Sequence, residues 1–227
     1  MICLYCHMDI NEEPTLVSLF TKAEPLCFAC REALTYKYEG ERCGRCHQIV
    51  QLKTDVCGDC QSLMKLYPHI NQIFSLTDYN EAMKQLMHRY KFVKDYALAE
   101  VLAVLCGFSF KPYDFIVPIP VSDKRMKERT YNQTSAVLDV LGVKYIDILG
   151  THKAARQSEL TRQERLSSEN PFYLKEDVNN YDFSGKRIII TDDIYTTGIT
   201  IHQAADIISG LNFQNIDVIT FSKAHHI

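Results

Sequence analysis

The chain has no apolar run approaching the ~20 residues that a membrane-crossing helix needs, so membrane insertion is not expected. It also lacks any excess of positive charge. Twenty-five Lys and Arg stand against 28 Asp and Glu, a formal net charge of −3. The whole chain is therefore no polycation, and any contact with nucleic acid must rest on a local patch. The opening Met-Ile-Cys-Leu-Tyr-Cys has no basic segment ahead of an apolar core. It does not read as a secretory leader, and the expected address is the cytoplasm. With 46% hydrophobic and 23% charged residues the balance is that of a globular protein, and 227 residues suffice for one full domain and a small one.

Cysteine, by contrast, is concentrated at one end. Eight of the nine cysteines form four Cys-x-x-Cys pairs: Cys3/Cys6, Cys27/Cys30, Cys43/Cys46 and Cys57/Cys60, separated by twenty, twelve and ten residues. Two intervening residues let both thiolates of a pair reach one metal ion from a tight turn, and two pairs complete a tetrahedron. Four pairs therefore imply two Zn2+ ions, structural because every ligand is a thiolate and no coordination position stays open. Sequential pairing puts Cys3, Cys6, Cys27 and Cys30 on one ion and Cys43, Cys46, Cys57 and Cys60 on the other. It closes each loop locally at lower entropic cost than an interleaved cross-brace, which the spacing leaves open. The second set looks like a zinc ribbon, with Gly44 and Gly58 expected to ease its turns. His7 and His47 adjoin ligating cysteines and are alternative ligands. A disulfide scaffold does not suit a leaderless chain in reducing surroundings. Residues 1–66 bury little apolar surface, so metal binding would supply folding energy. Cys106 lies on an apolar helical pattern and reads as a small buried hydrophobe.

The most informative stretch runs from Arg187 to Thr200. Ile188 to Thr191 suit a buried strand, with Asp192 and Asp193 at its C-terminal end. Thr196, Thr197, Gly198, Ile199 and Thr200 then form a turn that opens a helical pattern over 199–210. Backbone N–H groups in such a turn make an anion site. Gly198 can take φ > 0 and lets a phosphate approach, and the threonines add hydroxyl donors. The carboxylates cannot bind phosphate; they suit an adjacent diol or a hydrated Mg2+. A phosphorylated sugar satisfies both halves. A helix whose polar residues merely cap it is the plainer alternative.

This ordered string resembles the signature of the type I phosphoribosyltransferases. The resemblance implies a site for 5-phosphoribosyl-1-pyrophosphate (PRPP), with Thr196 to Thr200 on the 5′-phosphate and Asp192 and Asp193 on the ribose hydroxyls. Those members that act on 6-oxopurines carry a carboxylate where this chain has Thr196, so that substrate class is disfavoured.

In the middle of the chain, Leu86, Tyr90, Val93, Ala97, Val101 and Leu105 recur at helical steps behind a cap at Asn80. Tyr90-Lys91-Phe92 interrupts the pattern and is expected to break the helix, and His88 is placed on its polar flank. Phe115 to Pro120 is a short apolar strand closed by Pro118 and Pro120, which stop ladder pairing. A basic loop follows, in which Arg125 and Arg129 are candidates for a pyrophosphate; a solvated charge run is the alternative. Residues 124–165 hold nine Lys/Arg against five acids, the best candidate for a single-strand groove, with Tyr131, Tyr145 and Phe172 as stacking faces. His202 reads as structural, and Asp217 to Phe221 as the last strand.

The segment Val-Pro-Ile-Pro…Arg129…Asn132-Gln133, between the cysteine pairs and the Asp192 motif, resembles the ComF family of competence proteins over nearly the whole chain. The resemblance implies an α/β fold: a Rossmann-like type I phosphoribosyltransferase domain with a mainly parallel sheet over 67–227, behind a double zinc-ribbon module over 1–66. It also implies a role in natural transformation, with single-stranded DNA and a helicase-like ATPase as partners and PRPP bound with Mg2+. The polar span 151–171 looks like the mobile lid of such enzymes, with Lys153 and Arg165 closing over the ligand. A hood for a base would have to come from residues 67–95 or the cysteine module. A salvage phosphoribosyltransferase acting on an unidentified base is the alternative function.

Overall fold

The computed structural model describes residues 1–10, 24–152 and 169–225. Lys153 and Arg165, and most of the expected lid, lie outside them.

Two small modules open the chain on one plan. In each, a cysteine knuckle (Cys3/Cys6, Cys43/Cys46) meets a second pair whose first cysteine is the N-cap of a helix: Cys27 before α1 (Phe28–Thr35) and Cys57 before α2 (Gly58–Leu66). A hairpin of β1 (Glu41–Arg42) and β2 (Ile49–Val50) frames the second knuckle. The positive φ values that close the knuckles fall on His7 (62°) and His47 (60°), not on glycine. Gly44 instead serves close approach, since a Cβ there would lie 3.2 Å from the Asp55 carbonyl oxygen, and Gly58 merely starts α2 in open space.

The body is a four-stranded sheet in the order β3 (Ile73–Asp78), β8 (Asn215–Lys223), β7 (Arg187–Tyr195), β4 (Phe115–Pro118). All three pairings are parallel. A separate antiparallel ribbon joins β5 (Leu149–Thr151) and β6 (Phe172–Leu174). The helices are α3 (Glu81–His88), α4 (Leu98–Leu105), α5 (Asp123–Arg129), α6 (Gln133–Val140) and α7 (Ile199–Ser209). Asn80 caps α3 by accepting the Met83 N–H at 2.9 Å.

Both faces of the sheet are covered, which explains why β7 is a continuous Ile188-Ile189-Ile190 run rather than an alternating one. Ile188, Ile190, Val117 and Val218 pack with Ile201, Ala204 and Ile208 of α7 on one face. Ile116, Ile189 and Ile219 pack with Leu138 of α6 on the other. The modules join these cores from opposite sides. Cys43, Cys46 and Cys60 share the α7-side cluster with Tyr195. Cys3 and Cys30 share a cluster with Met83, Leu86 and Tyr90 of the α3 segment and Leu98 of α4.

Three local expectations change. The basic stretch after Pro120 is a helix, α5; Asp123 in its first turn and Lys127 and Arg129 in its last complement the helix dipole. Strand β7 runs four residues past Thr191, because β8 keeps pairing with it as far as Tyr195–Lys223. Phe172 is 4% exposed inside the core, so it offers no stacking face. Tyr131 and Tyr145 do line a side groove, but with Asp123, Asp139 and Asp147, a poor setting for nucleic-acid phosphates.

Candidate functional site

The site follows from where β4 stops. Its last ladder partners are Pro118 and Thr191, and the Ile119 N–H reaches the Thr191 carbonyl at 2.9 Å. Beyond that point Pro120 turns the chain away, so Asp192 to Tyr195 keep a neighbour only on the β8 side. The gap opens a cavity of about 850 Å3 at the carboxyl edge of the sheet, the location expected for ligands in parallel α/β folds.

Asp192, Asp193, Thr196, Ile199 and Thr200 line this cavity together with Arg125 and Arg129. The two arginines are four residues apart on α5, hence on one face, while Lys124 and Lys127 are exposed. Gly198, with φ of 78°, is the N-cap of α7. It is buried beneath the turn, and neither it nor Thr197 lines the cavity. Asn132 fixes the near wall. Its Oδ1 accepts the N–H groups of Thr134 and Ser135 at the start of α6, and its Nδ2 donates to the Ile119 carbonyl at 2.9 Å. Arg129 donates to Gln133 Oε1 at 2.9 Å. Burial, then the nearby Arg125, lowers the pKa of Arg129 from its ordinary value, against the opposing pull of Asp193 and Glu128.

The far wall was less legible. After α3 the chain makes a π-helical turn, Arg89–Val93, ended by Lys94 in the left-handed region (φ 62°). This turn sends the consecutive residues Lys91 and Phe92 into the cavity. Lys91 Nζ lies 2.5 Å from Asp193 Oδ2, with both side chains largely buried. His88 rests 5.3 Å from the Phe92 ring, and the Arg129 guanidinium lies 5.6 Å from its centroid. The signals of this wall in the sequence were the break at Tyr90-Lys91-Phe92 and the span 67–95 left to supply a hood. Counting the lining, Lys84, Arg89, Lys91, Arg125 and Arg129 outnumber Glu81, Asp192 and Asp193 by five to three, which favours a polyanionic ligand. His152 donates its N–H to the Pro171 carbonyl at 2.8 Å, and Pro171 lines the cavity.

The cysteines gather into two groups of four, paired sequentially, each with its sulfurs within 4.8 Å of one another. A metal ion ~2.3 Å from each of four sulfurs sets tetrahedral edges of about 3.8 Å; Cys6–Cys27 and Cys46–Cys57 are both 3.8 Å apart. Backbone N–H groups of Cys27 and Cys57 point at the sulfurs of Cys3 and Cys43, at 3.4 and 3.2 Å, as a thiolate requires. The donors thus fit a closed tetrahedral metal site. His7 and His47 stay outside both groups; His7 Nε2 meets Arg89 instead.

The phosphate-sized turn and the second group are neighbours. Lys223, 2% exposed, donates to the carbonyls of Thr196 (3.2 Å) and Ala224 (2.9 Å) and sits 4.7 Å over the Tyr195 ring. His225 accepts the Ile49 N–H and lies 2.9 Å from Asp78, which also takes Arg42 at 2.7 Å. His202 is fully buried against Tyr67, outside the cavity.

A parallel α/β sheet with an acid pair and a helix-opening turn at its carboxyl edge, preceded by two tetracysteine groups able to hold metal, defines a protein that joins cysteine modules to a cavity-bearing α/β sheet. No family model matches the chain. Competence protein ComFC of Streptococcus pneumoniae is 34% identical, covering 98% of this chain and 99% of that protein. Competence protein ComFC of Bacillus subtilis is 32% identical over 90% of this chain and 87% of its own. DNA utilization protein YhgH of Salmonella typhimurium is 25% identical over 81% and 90%. The chain belongs to the ComFC family of competence proteins, and its role is in competence. Among the described residues no helix is long and apolar enough to cross a membrane.

Proposed function

We propose that the cavity binds PRPP, or a phosphoribosyl group at a nucleic-acid end, as part of handling single-stranded DNA in the cytoplasm during transformation. One observation carries the reading: the acid pair, Thr196, Ile199 and Thr200 of the turn, and the Arg125/Arg129 face of α5 line the same cavity. The turn suits the 5′-phosphate, Asp192 and Asp193 the ribose hydroxyls, and the two arginines the pyrophosphate. Mg2+ would accompany the pyrophosphate and neutralise part of its charge. Lys153 and Arg165 are assigned to a lid over the ligand. The two tetracysteine groups hold structural Zn2+.

The test is a thermal-shift titration with PRPP, with and without Mg2+. A ligand that binds only the folded state raises the midpoint, here by about 5 °C or more at a hundred times Kd. Asp192→Asn with Asp193→Asn is expected to abolish the shift, and an unshifted wild type would remove the reading. Single-stranded DNA affinity should fall steeply with salt and weaken in Arg125→Ala, Arg129→Ala; a helicase-like ATPase is the partner to test for joint action. A second reading, transfer of the phosphoribosyl group to a base, is favoured by the exposed Phe92 ring across from the acid pair. Its measurement is PRPP-dependent release of pyrophosphate over a panel of bases.

A further inference from the structure

Two features of the turn at Thr196–Gly198 are not explained by the ligand pocket. The first is a lysine with almost no access to water. Lys223 Nζ gives hydrogen bonds to two carbonyls, Thr196 and Ala224, and packs against the Tyr195 ring. A buried ammonium costs several kcal/mol unless a counter-charge compensates it, and among the described residues no carboxylate lies within ion-pair distance of this one. The second is Tyr195, 2% exposed, with no partner for its hydroxyl among the described residues. Its ring sits between Gly198 and the cluster that holds Cys43, Cys46 and Cys60.

The counter-charge lies on the other side, chiefly in the second tetracysteine group and then in Asp59 at the start of α2. Four thiolates around one divalent ion carry a net charge of about −2. Burial lowers the Lys223 pKa, while the sulfurs of Cys46, Cys57 and Cys60, and after them the Asp59 carboxylate, pull it back; the Tyr195 ring under the ammonium packs in the same cluster as Cys43, Cys46 and Cys60. The backbone repeats the link, with Ala224 N–H bonded to the Tyr195 carbonyl at 2.9 Å and His225 accepting the Ile49 N–H of the second module at 3.3 Å.

We infer that Lys223 is a positioning residue that joins the second tetracysteine centre to the anion-binding turn: its ammonium balances the metal–thiolate charge while its hydrogen bond fixes the Thr196 carbonyl, so metal occupancy and ligand binding at the turn are coupled. The coupling to ligand rests on the phosphoribosyl reading; the coupling to the turn does not. The first module meets the opposite face of the sheet, where its cluster packs on Ile194, and among the described residues no hydrogen bond from it reaches Thr196. By linkage, what metal does for the ligand, the ligand must do for the metal.

The experiment uses the full-length zinc-loaded protein. Release of zinc to a chromophoric chelator is followed with and without saturating PRPP, and amide hydrogen exchange is read across residues 191–200. PRPP is expected to slow extraction of one of two zinc equivalents by about tenfold. Lys223→Met should speed extraction of one equivalent and raise exchange at 191–200 by about tenfold, Lys223→Arg should restore zinc retention, and Cys6→Ser should leave exchange at 191–200 unchanged. The inference is overturned if Lys223→Met releases zinc like the wild type, or if its extra exchange is spread evenly over the sheet. If PRPP fails to bind the wild type, the phosphoribosyl reading falls, and the exchange and extraction data from Lys223→Met alone decide the coupling.

Discussion

The hydroxyl of Tyr195 rests against the α-carbon of Gly198: a Cβ placed on that glycine would lie 2.2 Å from Oη and 2.5 Å from Cζ. The turn therefore needs glycine twice over, for its φ of 78° and for the ring beneath it. Gly198→Ala is expected to destabilise the protein by roughly 3 kcal/mol, the left-handed strain plus the steric conflict, and to remove ligand binding. Tyr195→Phe deletes a buried hydroxyl with no partner among the described residues, so it should be neutral or stabilising by up to ~1 kcal/mol. Urea melts of both variants check the pair.

Lys91 holds Asp193 at 2.5 Å. It competes with sugar hydroxyls for that carboxylate yet adds positive charge where a pyrophosphate would sit. Lys91→Met should thus weaken PRPP about tenfold while leaving ribose 5-phosphate unaffected or tighter. Calorimetric titration of both ligands separates the two effects, and equal losses would refute the assignment.

The first metal module buttresses the far wall. Arg89 donates to the Tyr5 carbonyl at 2.5 Å and pairs with Asp95 at 2.6 Å. Metal analysis should find two zinc ions per chain. Cys6→Ser should lose one, with faster hydrogen exchange confined to residues 1–10 and 81–95.

Asp78 is 3% exposed and joins β3 to the second module through Arg42 and His225. Burial alone would raise its carboxyl pKa, but hydrogen bonds from Arg42, His225 and the Tyr38 N–H outweigh burial and lower it. The stability it contributes is present above the ordinary carboxylate range and is lost as pH falls through the lowered value. Asp78→Ala should cost roughly 3 kcal/mol, since it strands a partly buried guanidinium, as denaturant melts at neutral pH would register.

Burial drives the His202 imidazole down to about 4 from its ordinary 6.5; the Tyr67 backbone opposes it, and Arg45 and His69 add smaller downward pushes. The unfolded chain then binds more protons than the folded one across that interval, so stability is lost as pH falls from 6.5 towards 4. The gap corresponds to about 3 kcal/mol. His202→Leu should flatten that part of the pH profile relative to wild type, whose thiolate sites also lose metal in acid.

What the sequence disclosed and what it hid divide along physical lines. The acid pair, the turn and the cysteine pairs are local strings, with spacing set by a single ligand, so they could be read directly. The α7 span and the cap at Asn80 followed from periodicity. The extension of β7 to Tyr195 did not, because only pairing with β8 makes Asp192-Asp193-Ile194 a strand. The helical state of Asp123–Arg129 was masked by its charge, which resembled a solvated loop. Knuckle closure at His7 and His47 ran against the glycine expectation, since the hydrogen bonds of the knuckles outweigh the modest penalty of αL for a histidine. Lys223, on a strand of otherwise buried residues, gave no sign of its two carbonyls.

The widened turn at Arg89–Val93 has a corollary. The turn carries the lining that Lys84, Gln85, Met87 and His88 of α3 begin on through Arg89 to an adjoining cation and aromatic ring, Lys91 and Phe92. Excision of a single residue there would restore a regular helix, swing one of the two away, and leave every motif of the near wall intact.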